Sequence, residues 1–313
     1  MKRLARWNSF VALLIGAAVP LTISAQQASI PTVDLLDGSV ATAGKALLFD
    51  EGLKVEGFIR NHNVGVEVHS ADGDYARLPA LAADLIHRDV GLVAALDTPS
   101  ALAIKAIAKD IPIVFAVESD PIQTGLVATM DRPGANITGA TDMAVEQERE
   151  RLKLLHDLLP KATLFAFLVN PANPNARAQT ENMLATGHDL GVQINTPHAR
   201  DESDLERVLA PSADWRADGF VIGDDDFFMS RGARLAALTA RRALPAVFAH
   251  RGFAAAGGQA GVYSVLVLKG GRPADLTVFQ TRQTELIVNL KTAHTLGLAV
   301  SSDLLERATE VIK

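Results

Sequence analysis

Residues 92–136 read LVAALDTPSALAIKAIAKDIPIVFAVESDPIQTGLVATMDRPGAN, and this stretch decides the fold. The apolar runs Gly91–Leu96 and Ile111–Val117 are short and are flanked by turn residues, so each predicts a buried strand of a parallel sheet. Between them, Ser100–Lys109 has helical spacing, and Thr98-Pro99-Ser100 supplies a capping hydroxyl and a proline suited to a first helical turn. The stretch therefore predicts a strand–helix–strand unit.

Polar side chains follow both predicted strands. Thr98 and Ser100 come after the first strand, and Ser119 and Asp120 come after the second, ahead of another stretch with helical spacing. In an open α/β sheet, ligands bind at the carboxyl ends of the strands, where helix N-termini attract negative charge. These residues are therefore candidates for holding an anionic group such as a carboxylate. Ordinary helix capping is the alternative, and the residues leave both open.

Strand and helix patterns alternate along most of the chain. The other predicted strands cover residues 31–36, 64–69, 164–169, 193–196, 219–222 and 246–248. The other predicted helices cover residues 44–55, 75–87, 146–158, 176–190, 202–209 and 230–242. Toward the C-terminus we expect helices over 260–268, 290–296 and 302–312, with extended segments over 278–280 and 286–289. Such alternation predicts parallel sheets with right-handed crossovers.

The length of the chain predicts two lobes. A chain of 313 residues with 48% apolar composition is too long for one ordinary open sheet. A second series of strands and helices starts near Thr138, and no low-complexity linker separates it from the first. We therefore expect two lobes, each a parallel sheet flanked by helices, joined by short hinge segments.

Two polar loops follow predicted strands of the second series. Asn170, Asn173 and Asn175 lie in a loop that also contains two prolines, and Asp224–Asp226 follows the strand predicted over 219–222. The asparagines either face a ligand or form Asx turns. The three acids either hold a cation or a ligand ammonium, or form a solvated turn that caps the next helix; their succession alone does not make metal geometry.

Composition and motifs exclude several kinds of site. The chain has no cysteine, so disulfides and thiolate metal sites are excluded. The stretch Gly38–Lys45 is similar to a phosphate loop, but its glycine spacing is wrong and Ala46 stands where a Mg²⁺-binding hydroxyl is needed. No GxGxxG, GxSxG or HExxH motif occurs. We expect no enzyme activity, no cofactor and no metal.

The N-terminus has the pattern of a secretory signal peptide. Lys2, Arg3 and Arg6 precede an apolar run over Phe10–Ile23, and a cleavage site is expected after Ala25. The run is shorter than the roughly 20 residues that span a bilayer. Removing the three basic residues leaves 27 basic against 36 acidic side chains, a net charge of −9. Such an acidic exported protein is a poor candidate for binding nucleic acid or anionic membranes.

Several motifs together resemble the substrate-binding proteins of ABC transporters, in the family that includes tryptophan- and tyrosine-type binding proteins. The motifs in the first half are GDYARLPALA (73–82), DTPSALA (97–103), IPIVFA (111–116), SDP (119–121), GLVA (125–128) and RPGANITG (132–139). Those in the second half are LVNPANP (168–174), DDDFF (224–228) and NLKTA (289–293). Any one of them alone is weak, but as a set they are specific.

The resemblance implies a periplasmic-binding fold of type I, which holds a small molecule in the cleft between its lobes and presents it to a membrane permease. It implies residues 1–25 as signal peptide, 26–138 plus about 258–279 as the first lobe, and 139–257 plus about 280–313 as the second. An amino acid or a similar ligand, aromatic ones included, is expected, together with a monomer in the periplasm of a Gram-negative cell. By position, the ligand-binding residues would be Ser39, Thr98, Ser100, Ser119, Asp120, Asn170, Asn173, Asp224 and either Phe227 or Phe228.

The chain departs from the family pattern after Gln259. Family members usually carry a strand ending in Ser-Tyr-Gly there, and roughly a dozen residues are missing by that comparison. The first helix, over residues 44–55, is also short. Loss of the crossover strand would weaken ligand binding or leave a sheet edge uncovered. A ligand-sensing protein that docks on a receptor or kinase, a family member that no longer binds ligand, and a secreted hydrolase are the alternatives.

Overall fold

The computed structural model describes residues 30–40, 42–88, 90–210, 216–248, 252–281 and 285–313. Within them the strands are β1 (Thr32–Asp37), β2 (Gly65–Ser70), β3 (Val93–Ala95), β4 (Ile113–Val117), β5 (Ile137–Thr141), β6 (Leu164–Leu168), β7 (Gln193–Asn195), β8 (Gly219–Ile222), β9 (Ala246–Val247), β10 (Phe279–Gln280), β11 (Ile287–Asn289) and β12 (Glu310–Ile312). The helices are α1 (Thr42–Val55), α2 (Leu78–Ile86), α3 (Thr98–Ile107), α4 (Glu148–Leu158), α5 (Ala176–Leu190), α6 (Glu202–Val208), α7 (Asp226–Met229), α8 (Gly232–Arg241), α9 (Gly252–Leu268), α10 (Leu290–Thr295) and α11 (Ser302–Arg307). The predicted alternation of strand and helix is confirmed.

The first lobe is built on a parallel sheet with the strand order β10-β5-β4-β3-β1-β2. Val33 and Leu35 of β1 pack under α1 and α9, whereas Leu36 packs under α2 and α3. Both faces of the sheet are therefore covered, as the continuous apolar runs predict. The expected lobe boundary near residue 138 falls inside β5, which pairs with β4 from Ile137 to Thr141.

The second lobe is built on a smaller parallel sheet with the order β7-β6-β8-β9 and is covered by α4 to α8. Its core is rich in phenylalanine, with Phe165, Phe167 and Phe220 fully buried. The strand β9 lies at one edge and pairs with β8 through two residues. The short parallel pair β11–β12 follows α9 in the chain, and Arg307, the last residue of α11, forms an ion pair with Asp157 of α4.

The helix α9 begins earlier than the predicted start at Ala260. Three glycines allow α9 and α1 to touch through their backbones: a Cβ on Gly52 would lie 1.9 Å from the carbonyl oxygen of Gly258, and one on Gly261 would lie 2.2 Å from that of Phe49. Because this close packing stabilises both helices, it outweighs the low helix propensity of glycine, so Gly52 lies inside α1 and Gly258 and Gly261 lie inside α9.

Two other sequence-based predictions are wrong. Residues 121–125 form turns instead of a helix, because the Asp120 carboxylate accepts hydrogen bonds from the N–H groups of Ile122 and Gln123, and Gly125 has a positive φ of 73°. The predicted tail helix over 302–312 ends at Arg307. Thr309 then donates to the carbonyl oxygen of Leu286, and β12, which contains β-branched residues, pairs with β11.

Within the ranges that the structure describes, no helix combines the length and apolar character needed to cross a bilayer. The predicted signal peptide lies outside these ranges.

Candidate functional site

The carboxyl ends of the two sheets meet, and buried polar side chains join them. Three of the contacts between the lobes show this arrangement. The Tyr75 hydroxyl donates to Asp225 Oδ2 at 3.0 Å, Asn175 Nδ2 donates to Glu118 Oε1 at 2.9 Å, and the Lys45 ammonium donates to Asp226. Opposed strand ends of this kind are where a ligand can be held from both sides.

The first lobe contributes a pair of hydroxyls at neighbouring strand ends. Thr98 and Ser119 share a hydrogen bond of 2.7 Å between their hydroxyl oxygens, and both residues are buried. Thr98 also donates its backbone N–H to Glu118 Oε2 at 3.1 Å. These two predicted residues therefore lie together, because β3 and β4 are adjacent parallel strands.

Ser100 lies beside this pair in the first turn of α3. Its backbone N–H donates to Asp97 Oδ1 at 2.7 Å, which makes Asp97 the N-cap of the helix. Its hydroxyl is fully buried and has no hydrogen-bond partner among the residues that the structure describes. A buried hydroxyl without a partner is unfavourable by about 1–3 kcal/mol, so this group is suited to bonding an added molecule.

Two further predicted residues of the first lobe, Ser39 and Asp120, form hydrogen bonds with residues that are near them in the sequence. The Ser39 hydroxyl donates to Asp37 Oδ2 at 2.6 Å. The Asp120 carboxylate accepts from the N–H groups of Ile122 and Gln123 at 2.7 and 3.3 Å, and Asp120 is only partly buried. In this conformation Asp120 shapes a turn at the margin of the site.

In the second lobe, Asn170 and Asn173 both turn toward one carboxylate. Asn173 Nδ2 donates to Asp225 Oδ2 at 2.8 Å, and Asn170 Nδ2 lies 3.2 Å from both carboxylate oxygens. Asp225 also accepts from the N–H of Phe227 at 3.0 Å, and so caps α7. The side chain that organises this corner is therefore Asp225, which was not among the predicted ligand-binding residues.

Asp224 is the centre of a second buried network. Its carboxylate lies 3.4 Å from the Arg151 guanidinium, and its N–H donates to Glu148 Oε1 at 2.6 Å. Gln179 Nε2 donates to both the Asp224 carbonyl and Glu148. Burial raises the pKa of Asp224, although the charge of Arg151 opposes the rise. Asp224 and Asp225 are thus buried and bonded and Asp226 is partly buried, so the acidic run is not a solvated turn.

Phe227 lies in the core of the second lobe. Its ring packs against Phe228 with 5.6 Å between centroids, and the Arg231 guanidinium lies 4.0 Å from the ring centre. Only 6% of the residue is exposed. Contact between this ring and an apolar ligand group stays a prediction.

Lys45 is the buried cation of the cleft on the side of the first lobe. Its ammonium donates to Asp37 Oδ1 and to the Leu96 carbonyl, each at 3.0 Å, and to Asp226 across the cleft. Burial opposes the charge of Lys45, but Asp226 and Asp37 raise its pKa well above the ordinary value. Burial also raises the pKa of Asp97, which is close to this group. Lys45 therefore stays protonated among carboxylates.

Within the part of the chain that the structure describes, two groups of acidic and histidine side chains have metal-like spacing. The carboxylates of Asp37, Asp97 and Asp226 offer oxygens within 4.8 Å of one another, but the Lys45 ammonium already provides the cation there. On β1 and β2, Asp34, Glu67 and His69 form the other group. The carboxylates around Lys45 would repel a phosphate, which agrees with the sequence-based exclusion of a phosphate loop at Gly38–Lys45.

Sequence reasoning did not identify several residues of this site. They are Asp37, Lys45, Tyr75, Asp97, Glu118, Asp142, Glu148, Arg151 and Gln179. Asn175, Asp225 and Asp226 belong to the two polar loops that the sequence marked, but they were not among the predicted ligand-binding residues. Asp37, Asp97 and Glu118 directly follow apolar runs, and that position was a usable signal. Lys45 and Tyr75 lie in or beside helices and reach the cleft only through the tertiary fold, so no local pattern marks them.

The buried acids predict a pH dependence of stability. Burial raises the pKa of Asp142 from 3.8 to about 7 and that of Glu148 from 4.5 to about 8. The folded protein therefore binds more protons than the unfolded chain between about pH 4 and pH 8, and stability falls as the pH rises through this interval. For Asp142 alone the change is about 4 kcal/mol.

We expect the free energy of unfolding, measured by urea titration, to be lower at about pH 8 than at about pH 5 by at least about 2 kcal/mol. Asp142→Asn removes one titrating group and should flatten this dependence. The control is Asp303→Asn, a substitution of an exposed residue, which should leave the pH dependence of stability unchanged. A stability that rises between these two pH values would contradict the burial argument.

Comparison with known proteins shows the family to which the chain is related. The model of the ABC transporter substrate binding protein family matches residues 45–312. A tyrosine-binding protein of Clostridioides difficile is 22% identical over 264 residues, which cover 80% of this chain and 75% of that protein. A domain from Streptococcus pneumonia solved as an ABC domain in complex with L-Trp superposes with a TM-score of 0.76 at 21% identity, covering 91% of this chain and all of that one. A conserved domain protein from Vibrio cholerae superposes with a TM-score of 0.79 at 22% identity, covering 90% and 99%.

Proposed function

The chain belongs to the ABC transporter substrate-binding protein family, and we propose that it binds an amino acid or a similar small molecule, aromatic ones included, between its two lobes. The observation that carries the proposal is the meeting of buried polar strand ends from both lobes, with Thr98 and Ser119 on one side and Asn170 and Asn173 on the other. The names of two relatives, which mention tyrosine and L-Trp, support this ligand class.

Each side of the cleft has a distinct role in this proposal. The hydroxyls of Thr98, Ser100 and Ser119, with the N–H groups at the start of α3, receive the ligand carboxylate. Ser39 and Asp120 lie at the margin of that group. Asn170, Asn173 and Asp224 face the ligand from the second lobe, and Phe227 covers its apolar part. Lobe opening breaks contacts between the lobes such as those of Tyr75 with Asp225 and of Asn175 with Glu118, and contacts with the ligand replace them.

The proposal includes delivery of the ligand to an ABC permease. Closure around the ligand brings both lobes into one continuous surface, to which the permease subunits bind. The predicted signal peptide supports a periplasmic location. The acidic net charge supports the expectation that the protein does not bind nucleic acid. The chain would act as a monomer and perform no chemistry.

The test is calorimetric titration of the folded protein with L-tyrosine, L-tryptophan and a panel of other amino acids. We expect saturable binding of at least one of them. The double variant Thr98→Ala and Ser119→Ala should weaken it by at least about tenfold, because a hydrogen bond to a charged group contributes roughly 1.5–3 kcal/mol. Thr295→Ala, whose exposed hydroxyl bonds only within α10, is the matched control. If the folded protein binds none of the amino acids in the panel, the proposal is overturned.

A further inference from the structure

We propose that the cleft contains a site for a primary ammonium group, built from Asp37, Asp226 and the Leu96 carbonyl, and that the chain fills this site with its own Lys45. Lys45 thus holds the lobes together as an internal occupant with which a ligand competes. The existence of the site stands on the contacts of Lys45 alone. The competition with a ligand rests on the proposed function.

The geometry of the site matches a primary ammonium. Such a group has three N–H donors and no acceptor. Here three oxygens receive it: Asp37 Oδ1 and the Leu96 carbonyl oxygen at 3.0 Å, and Asp226 Oδ2 from the opposite lobe. A carbonyl at a strand end and two carboxylates form a cup that neither a neutral alcohol nor a quaternary ammonium can satisfy.

The site is held in shape by other contacts. Ser39 and Thr42 both donate to Asp37 Oδ2 at 2.6 Å, so the other oxygen of Asp37 is directed at the ammonium. Lys45 lies in the first turn of α1, and Asp226 is the first residue of α7. Both Asp37 and Lys45 are almost fully buried, with 0% and 5% of each residue exposed. A buried ion pair of this kind is costly to break on one side only.

The location of the site gives Lys45 a role in ligand choice. A ligand that carries a primary ammonium competes with Lys45 for Asp226, whereas a ligand without one leaves the contact intact. The Asp224 and Asp225 carboxylates are already bonded, to Arg151 and to Asn170, Asn173 and Tyr75. Of the acids in the 224–226 run, Asp226 is therefore the one whose cationic partner bridges the lobes.

The experiment removes the lysine and supplies its ammonium from solution. Lys45→Ala keeps Cβ and leaves a cavity of the shape of the lost Cγ, Cδ, Cε and ammonium, and n-propylammonium is the probe because it has the same three carbons and the same charge. We expect n-propylammonium to raise the thermal midpoint of Lys45→Ala saturably by several degrees. The neutral 1-propanol and the quaternary tetramethylammonium should have no such effect.

The matched control is Lys54→Ala, which removes an exposed lysine of the same helix that pairs with Glu51. This control and the unaltered protein should show no stabilisation by n-propylammonium. Equal responses of Lys45→Ala to n-propylammonium and 1-propanol, or equal responses of the variant and the unaltered protein, would overturn the proposal.

A second measurement decides the outcome if Lys45→Ala does not fold without the probe. Recovery of the fold when the variant is diluted from denaturant into n-propylammonium would support the site. If it fails to recover, Asp226→Asn is examined by small-angle scattering: an increased radius of gyration supports the contact between the lobes, and an unchanged one rules it out. Amino-acid titration of the unaltered protein tests the proposed function separately, so the two failures are distinguishable.

Discussion

Replacing Gly52 by alanine is expected to lower the free energy of unfolding by roughly 3 kcal/mol or more. The new Cβ would lie 1.9 Å from the carbonyl oxygen of Gly258, and backbone atoms cannot move aside as a flexible side chain can. The helices α1 and α9 would have to separate, and this would expose Phe49 and Leu53, which are fully buried between them and the first sheet. Gly261→Ala should act in the same way, because its Cβ would lie 2.2 Å from the Phe49 carbonyl oxygen.

The control for this prediction lies in the same helix. At Gly44 of α1, no neighbouring atom lies within 4 Å of the position that a Cβ would occupy, so Gly44→Ala meets no obstacle. It should be neutral or stabilise by about 0.5–1 kcal/mol, because alanine favours the helix. Chemical denaturation monitored by circular dichroism measures both variants. Similar stabilities for Gly52→Ala and Gly44→Ala would show that the backbones of α1 and α9 are not in contact.

Asp225→Ala is expected to cause the other large loss, of roughly 4 kcal/mol. The carboxylate receives hydrogen bonds from Tyr75, Asn170, Asn173 and the N–H of Phe227, all of them buried. Alanine leaves these donors without an acceptor, and each unsatisfied buried donor is unfavourable by about 1–3 kcal/mol. Because Tyr75 belongs to the first lobe, the substitution should also loosen the contact between the lobes.

Asp201→Ala separates this effect from simple helix capping. Asp201 caps α6 as Asp225 caps α7, with its carboxylate accepting from the N–H of Asp204 at 2.8 Å, but it is exposed, and among the described residues no hydrogen bond joins its side chain to the first lobe. Its loss should amount to about 1 kcal/mol. Unfolding measurements that give Asp225→Ala a loss as small as that of Asp201→Ala would reduce Asp225 to a helix cap.

The architecture was predictable because its signals are local. Runs such as Ile113–Val117 are continuous and apolar, since a parallel strand is buried on both faces, and the helix between the strands starts at a cap and a proline. The predicted ends of helices and strands were wrong where long-range contacts decide them. The start of α9 depends on its contact with α1, and the pairing of β12 depends on β11, distant in sequence.

The site was predictable in part for the same reason. Thr98 and Ser119 follow adjacent strands, so their meeting is a consequence of the strand order. The partners that bond the lobes together could not be inferred in that way. Lys45 and Asp226 are far apart in the chain, and so are Tyr75 and Asp225; nothing in either local pattern indicates the other residue.

The sequence by itself determined the succession of strands and helices, the two-lobe architecture and the placement of polar residues at the strand ends, because burial periodicity, caps and turn residues act over a few neighbouring positions. Only the tertiary structure decided which polar groups face each other across the cleft. Hydrogen bonding and charge compensation of buried groups depend on distances between residues that are remote in the chain. The enclosure of the Lys45 ammonium by Asp37, Leu96 and Asp226 is such a tertiary contact.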